Sequence, residues 1–118
     1  MSTKFENLNV WQSAKELCLF VYKIADNFPA KEQFALTSQT TRAAVSIVAN
    51  IAEGSSRPSQ KDFCHFLDMS LGSAFELETL LIIAYERGYI NIKEKDTANA
   101  LITITEKQLN GFRRKLKL

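Results

Sequence analysis

Apolar residues recur three and four positions apart in four separate segments of this chain, the spacing that places them on one face of an α-helix. The first segment runs from about Asn9 to Phe28. Val10, Ala14, Leu17, Val21, Ile24 and Phe28 form its stripe, widened by Trp11, Cys18 and Ala25. Asn9 with Gln12 has the form of a capping box, and Pro29 blocks continuation. The second segment begins between Pro29 and Thr37 and ends at Gly54, where glycine offers the left-handed conformation that closes helices. The third starts with Ser59 and Asp62 after Pro58 and stops at Gly88, a helix of about 28 residues and roughly 42 Å. The fourth opens on an Asn91–Glu94 cap and carries Ala98, Leu101, Ile102, Thr105, Leu109, Phe112 and Leu116.

The segments are joined by a few residues each, which makes neighbouring helices antiparallel. The expected fold is therefore all-α, an up-down-up-down four-helix bundle forming a single domain over residues 1–118. Four Gly and two Pro leave the chain few places to turn, in keeping with long helices. No β-type alternation, internal repeat or low-complexity tract competes.

Two faces point to self-assembly. On the second helix Gln39, Arg42, Ser46, Asn50 and Glu53 form one narrow polar stripe in an otherwise apolar circumference. The stripe is either a solvent-facing strip on a mostly buried helix or a set of hydrogen-bonded pairs within or between subunits, with Glu76 as a partner. On the third helix Leu80 to Ala84 is apolar all round, and Gly72, Ser73 and Ala74 make a small-residue patch that admits another backbone. These features predict a homo-oligomer. Arg42, Ser46, Asn50, Glu53, Gly72, Ser73 and Glu76 are assigned to structure or assembly.

Composition narrows the chemistry. Apolar residues at 46% and charged residues at 24% are globular usage. Cys18 and Cys64 stand apart among apolar neighbours, as buried free thiols do, and nothing at the start resembles a signal peptide. The longest apolar run, Leu80 to Tyr85, is far short of the ~20 residues that span a bilayer. A cytoplasmic location with no membrane contact is expected. His65 is the only histidine, so no di-iron set of Glu-x-x-His pairs can be assembled. Its neighbour Cys64 points about 100° away on a helix, a poor joint ligand. There is no phosphate-binding glycine loop. The chain is expected to be no enzyme and to hold no metal or cofactor.

Net charge is only +2, but Arg113, Arg114, Lys115 and Lys117 crowd the last six positions. Cations there suit the negative end of a helix dipole. In an antiparallel bundle they also share a pole with Arg57 and Lys61, and symmetry would multiply that cluster into a ring of positive charge. The alternative to a capping role is thus phosphate binding, of backbone and shape rather than base sequence.

The stretch from Phe5 to Glu78 resembles a known family. VWQ at Val10–Gln12, FP at Phe28–Pro29, RAAVSIVANIAEG at Arg42–Gly54, Arg57 and GSAFELE at Gly72–Glu78 are similar to bacterial four-helix bundle proteins encoded in intervening sequences of 23S ribosomal RNA genes. That family also bears a ribosomal-protein label, which reflects gene location. It is similar in turn to the accessory protein of diversity-generating retroelements, a pentameric helical barrel that binds a reverse transcriptase and nucleic acid. The resemblance implies a homopentamer and nucleic-acid binding. The charge differs, since that accessory group is strongly basic.

The functional expectation is a non-catalytic homo-oligomeric bundle, a pentamer, that binds structured RNA or a ribonucleoprotein partner through Arg57, Lys61, Arg113, Arg114, Lys115 and Lys117. The alternative is a protein-interaction scaffold with no nucleic-acid role.

Overall fold

A computed structural model describes residues 4–116. Four long helices make up the fold: α1 Asn9–Ala25, α2 Leu36–Ser55, α3 Gln60–Glu86 and α4 Ile92–Lys115. Short 3-10 turns at Lys4–Asn7 and Ala30–Glu32 precede α1 and α2, and no strand occurs among the described residues. Each helix packs on its sequence neighbours, and α1 closes the ring against α4. The result is an elongated bundle, 43 × 23 × 22 Å.

The apolar spacing dictates the core. Val10, Ala14, Leu17, Val21 and Ile24 of α1 meet Ala43, Ala44, Ile47 and Ile51 of α2, with Leu67, Ala74, Leu77 and Leu81 of α3 and Ala98, Ile102 and Leu109 of α4. Within and beside the all-round apolar stretch of α3, Leu80 is buried, while Met69, Ile82 and Ile83 are exposed.

Helix ends follow local chemistry where a side chain reaches three residues ahead. Ser59 Oγ accepts the Asp62 N–H at 3.1 Å. Asn91 and Glu94 exchange bonds of 2.8 and 2.9 Å in a full capping box. Gly88, with φ of +79°, closes α3 through bonds from Gly88 N–H to Tyr85 O and from Tyr89 N–H to Ala84 O.

Three expectations need correction. Helix α1 ends at Ala25, and Asp26 to Phe28 form a turn that still buries Phe28. The Asn9–Gln12 capping box does not form: Leu8 holds the cap position and no side chain caps α1. Gly54 is not a left-handed terminator, because it lies inside α2 and Gly88 is the only positive-φ glycine among the described residues. Its role is proximity. A Cβ on Gly54 would sit 2.7 Å from Phe66 Cβ and 2.9 Å from Phe63 Cδ1, so the bare backbone lets α3 approach closely.

Candidate nucleic-acid interface

Antiparallel packing brings the ends of α2 and α4 and the starts of α1 and α3 to one pole. The phenyl rings of Phe63 and Phe112, 5.2 Å apart and edge-on, fix the register of α3 against α4 there. The sequence-predicted cations Arg57, Lys61, Arg113, Arg114 and Lys115 all gather at this pole; Lys117 lies outside the described residues.

Their environments separate them into two groups. Arg57 pairs with Glu53 one helical turn earlier at 2.9 Å and lies 4.7 Å from the centre of the Phe66 ring. Arg113 grips Asp68 of α3 with two guanidinium nitrogens, Nε on Oδ1 and Nη2 on Oδ2 at 3.3 Å. That carboxylate holds the Arg113 guanidinium even more firmly charged than usual. Both pairs are solvent-exposed, so each contributes little to stability. They matter more by neutralising two of the pole's cations. Lys61, Arg114 and Lys115 are exposed and make no ion pair within the described residues. The start of α1, which the sequence reading left out of the interface, stands beside Arg114 and Lys115 across an open cleft. Its uncapped N–H groups became visible only when the expected cap failed to form.

The assembly residues fall on the α2–α3 side. Ser46 Oγ and Ser73 Oγ share a 2.8 Å hydrogen bond, and Asn50 Nδ2 donates to Ser46 O and Oγ at 2.9 and 3.0 Å. Within the polar stripe, Ser46 thus bonds to α3 of the same chain, while Asn50 bonds back to Ser46 along α2. Arg42 and Glu76 line a second cleft of about 440 Å³ with Phe34, Ser38 and Gln39, and no ion pair joins them. Glu53 is taken by Arg57. A Cβ on Gly72 would meet nothing within 4 Å, so that part of the small-residue patch faces open space.

Cys18 is buried, which pushes its thiol pKa up, and Cys64 is half-buried with Sγ 3.9 Å from Leu116 O. Among the described residues no cluster of three or more His, Cys, Asp or Glu is placed to hold a metal ion. No helix there is long and apolar enough to cross a membrane.

The chain is similar to a crystallised Bacteroides thetaiotaomicron protein of the S23 ribosomal protein family, described as of unknown function. The two share 27% identity with a TM-score of 0.79, over 88% of this chain and 97% of that one. No curated protein matches. Residues 6–111 match the family described as 23S rRNA-intervening sequence protein, a span that takes in all of α1, α2 and α3 and most of α4. By that match the chain belongs to the 23S rRNA-intervening sequence protein family.

Proposed function

We propose that this protein is a non-catalytic homo-oligomeric bundle that binds structured RNA through the pole where α1 and α3 begin. The observation that carries the reading is the set of Lys61, Arg114 and Lys115, cations exposed at one end with no carboxylate partner among the described residues. A net charge of +2 gives weak long-range attraction, so binding depends on local contacts and on several subunits acting together.

Self-association is supported by the outer surface of α2 and α3. Met69, Glu76 and Ile83 repeat every seven positions, on the flank where Ser73 meets α2, and Arg42 and Val45 stand exposed on α2. An apolar strip with one cation and one anion that find no ion-pair partner among the described residues suits a second copy of itself. The likeness to the retroelement accessory protein implies five subunits. Light scattering at micromolar concentration measures this directly, and a monomer mass would end the oligomer reading.

RNA binding is tested by fluorescence anisotropy of a labelled RNA hairpin at low and moderate salt. Three free cations per chain predict a log–log salt slope of about −2 to −3 per subunit engaged. No binding at low salt refutes the RNA reading. The alternative is a protein scaffold, favoured by Phe34, which is 90% exposed beside Arg42 and Glu76. In that case replacing Arg113, Arg114 and Lys115 with Ala lowers stability slightly and changes no binding.

A further inference from the structure

Helix α3 is apolar on more of its circumference than its own bundle covers. Leu67, Ala74, Leu77 and Leu81 form the side that enters the core. Two further lines repeat every seven positions outside it. Met69, Glu76 and Ile83 follow the flank toward α2, where Ser73 bonds to Ser46. Asp68, Phe75 and Ile82 follow the opposite flank, where Asp68 reaches Arg113 of α4. Each flank exposes two large apolar side chains, Met69 and Ile83 on one and Phe75 and Ile82 on the other. Between them runs a crest of His65, Gly72, Thr79 and Glu86, exposed and without a large apolar side chain. An ordinary solvent face would be polar across all three lines. The observed order suits a helix covered on both flanks and wet along its crest.

Charge tells the two flanks apart. Arg42 stands exposed beside the α2 flank and makes no ion pair among the described residues. Glu78 follows Phe75 by three positions and precedes Ile82 by four, which puts it on the α4 flank. It is half-buried and also lacks an ion-pair partner among the described residues. Its negative charge reaches across to Glu106 of α4, whose carboxyl is pushed up by burial and then by Glu78. A cation would be welcome there.

Height along the bundle agrees with charge. The Ser46–Ser73 bond sets α2 against α3. Arg42 and Glu76 each lie about one turn from that bond, in the same direction because the helices are antiparallel, and they line one cleft. Glu78 is two residues, about 3 Å, further along. A rotation about an axis parallel to the bundle keeps every residue at its height. It therefore brings Arg42 of one copy to within about 3 Å of the level of Glu78 in the next. A flank meeting its own twin would pair Arg42 with Glu76 but leave Phe75 and Ile82 uncovered.

We propose, resting on the self-association put forward above, that copies of this chain dock side by side through unlike faces: the α2 flank of α3 in one lies against the α4 flank of α3 in the next, and Arg42 meets Glu78. The two flanks belong to adjacent sides of a four-helix bundle, about a right angle apart, so repeating the contact closes a small ring rather than a straight filament. The polar crest of α3 then faces the axis of the ring.

Light scattering of the full chain at micromolar concentration tests this, with circular dichroism to follow the helical fold. Wild type is compared with Arg42→Glu, with Glu78→Arg and with both together. Like charges across a contact oppose docking, and the double exchange restores the attraction in reverse. Each single variant is expected to fall to the mass of one chain, and the double variant to regain the wild-type mass. Dissociation by Arg42→Glu alone, with Glu78→Arg unaffected, overturns the unlike-face contact in favour of a flank meeting its twin. Wild-type mass in both single variants overturns the contact and leaves self-association to another surface. Dissociated single variants with no recovery in the double refute the Arg42–Glu78 pairing. A wild type that is itself a single chain refutes self-association and this contact together.

Discussion

The phenol of Tyr89 donates a 2.8 Å hydrogen bond to Glu32 Oε2, joining positions 57 apart in the chain. The other oxygen of Glu32 accepts the Leu36 N–H at 3.3 Å, at the start of α2, where no residue at the cap position supplies a side chain. One carboxylate thus tethers the α1–α2 connection to the α3–α4 turn and closes a helix end. The Tyr89 bond, and after it the Leu36 N–H, hold the Glu32 carboxyl below its ordinary value of 4.5.

Replacing Tyr89 with Phe should therefore lower stability in a pH-dependent way. A carboxyl with a depressed folded-state pKa contributes fully above its unfolded value, and the contribution is lost as pH falls through the folded value. The gap between wild-type and Tyr89→Phe melting temperatures should be widest at neutral pH and shrink toward acid. A gap independent of pH would mean that the lost bond is not to a carboxylate.

Gly54→Ala should destabilise the fold although alanine is the better helix former. Alanine gains about 1 kcal/mol of helix propensity. Its Cβ would lie 2.7 Å from Phe66 Cβ, on the packing face of α3, which cannot rotate away. Overpacking of this kind costs about 1–3 kcal/mol and should win. Urea unfolding decides the sign, and an unchanged or raised midpoint would contradict the tight α2–α3 approach.

Glu106→Gln should stabilise the protein at neutral pH. Burial, and then the charge of Glu78, push the Glu106 carboxyl up, and its Oε2 is enclosed without a partner. An acid with a raised folded-state pKa favours the fold below its unfolded value, and that advantage is lost as pH rises through the folded value. Glutamine removes the charge, so the variant should melt higher than wild type at pH 7 and the difference should narrow in acid. Equal melting temperatures at pH 7 would show that Glu106 finds water or a counter-charge in solution.

Asp68→Asn should tighten binding to an RNA hairpin. It releases Arg113 from its two-pronged contact and adds a cation to the pole. An extra phosphate contact is worth about a few-fold in affinity at low salt and steepens the salt slope by nearly one unit. Anisotropy with the same hairpin measures both, and an unchanged slope would place the RNA elsewhere.

The elements most legible in sequence were those governed by neighbours along the chain. Ser59, Asn91 and Gly88 act over three to five residues, so their roles could be read directly. Asn9 and Gln12 have the same spacing as a capping pair, but Gln12 reaches the carbonyl of Glu6 in the preceding turn, an acceptor that the pattern does not reveal. Gly54 was misread because its partner is the face of another helix. The basic pole was legible as a composition, since helix order and antiparallel packing place its members together. Which cations remain unpaired was not, because the Arg113–Asp68 pair, 45 positions apart, depends on the register of α3 against α4.

The close seating of α2 on α3 has a consequence for the order in which the molecule forms. Gly54 admits the Cβ of Phe66, Ser70 Oγ donates to Ile47 O at 2.6 Å, and only residues 56–59 separate the two helices. Closing so short a loop sacrifices little chain entropy, whereas joining α1 to α4 brings together opposite ends of the chain. The α2–α3 hairpin is therefore expected to assemble in the folding transition state, with α1 and α4 docking afterwards. Stopped-flow kinetics should show Ile47→Val slowing refolding and Leu109→Ala mainly hastening unfolding, and the reverse would place the nucleus at the ends. A chain that folds from its middle commits its core before its terminal helices arrive, so the part of the basic pole that α4 carries would be the last part of the molecule to take shape.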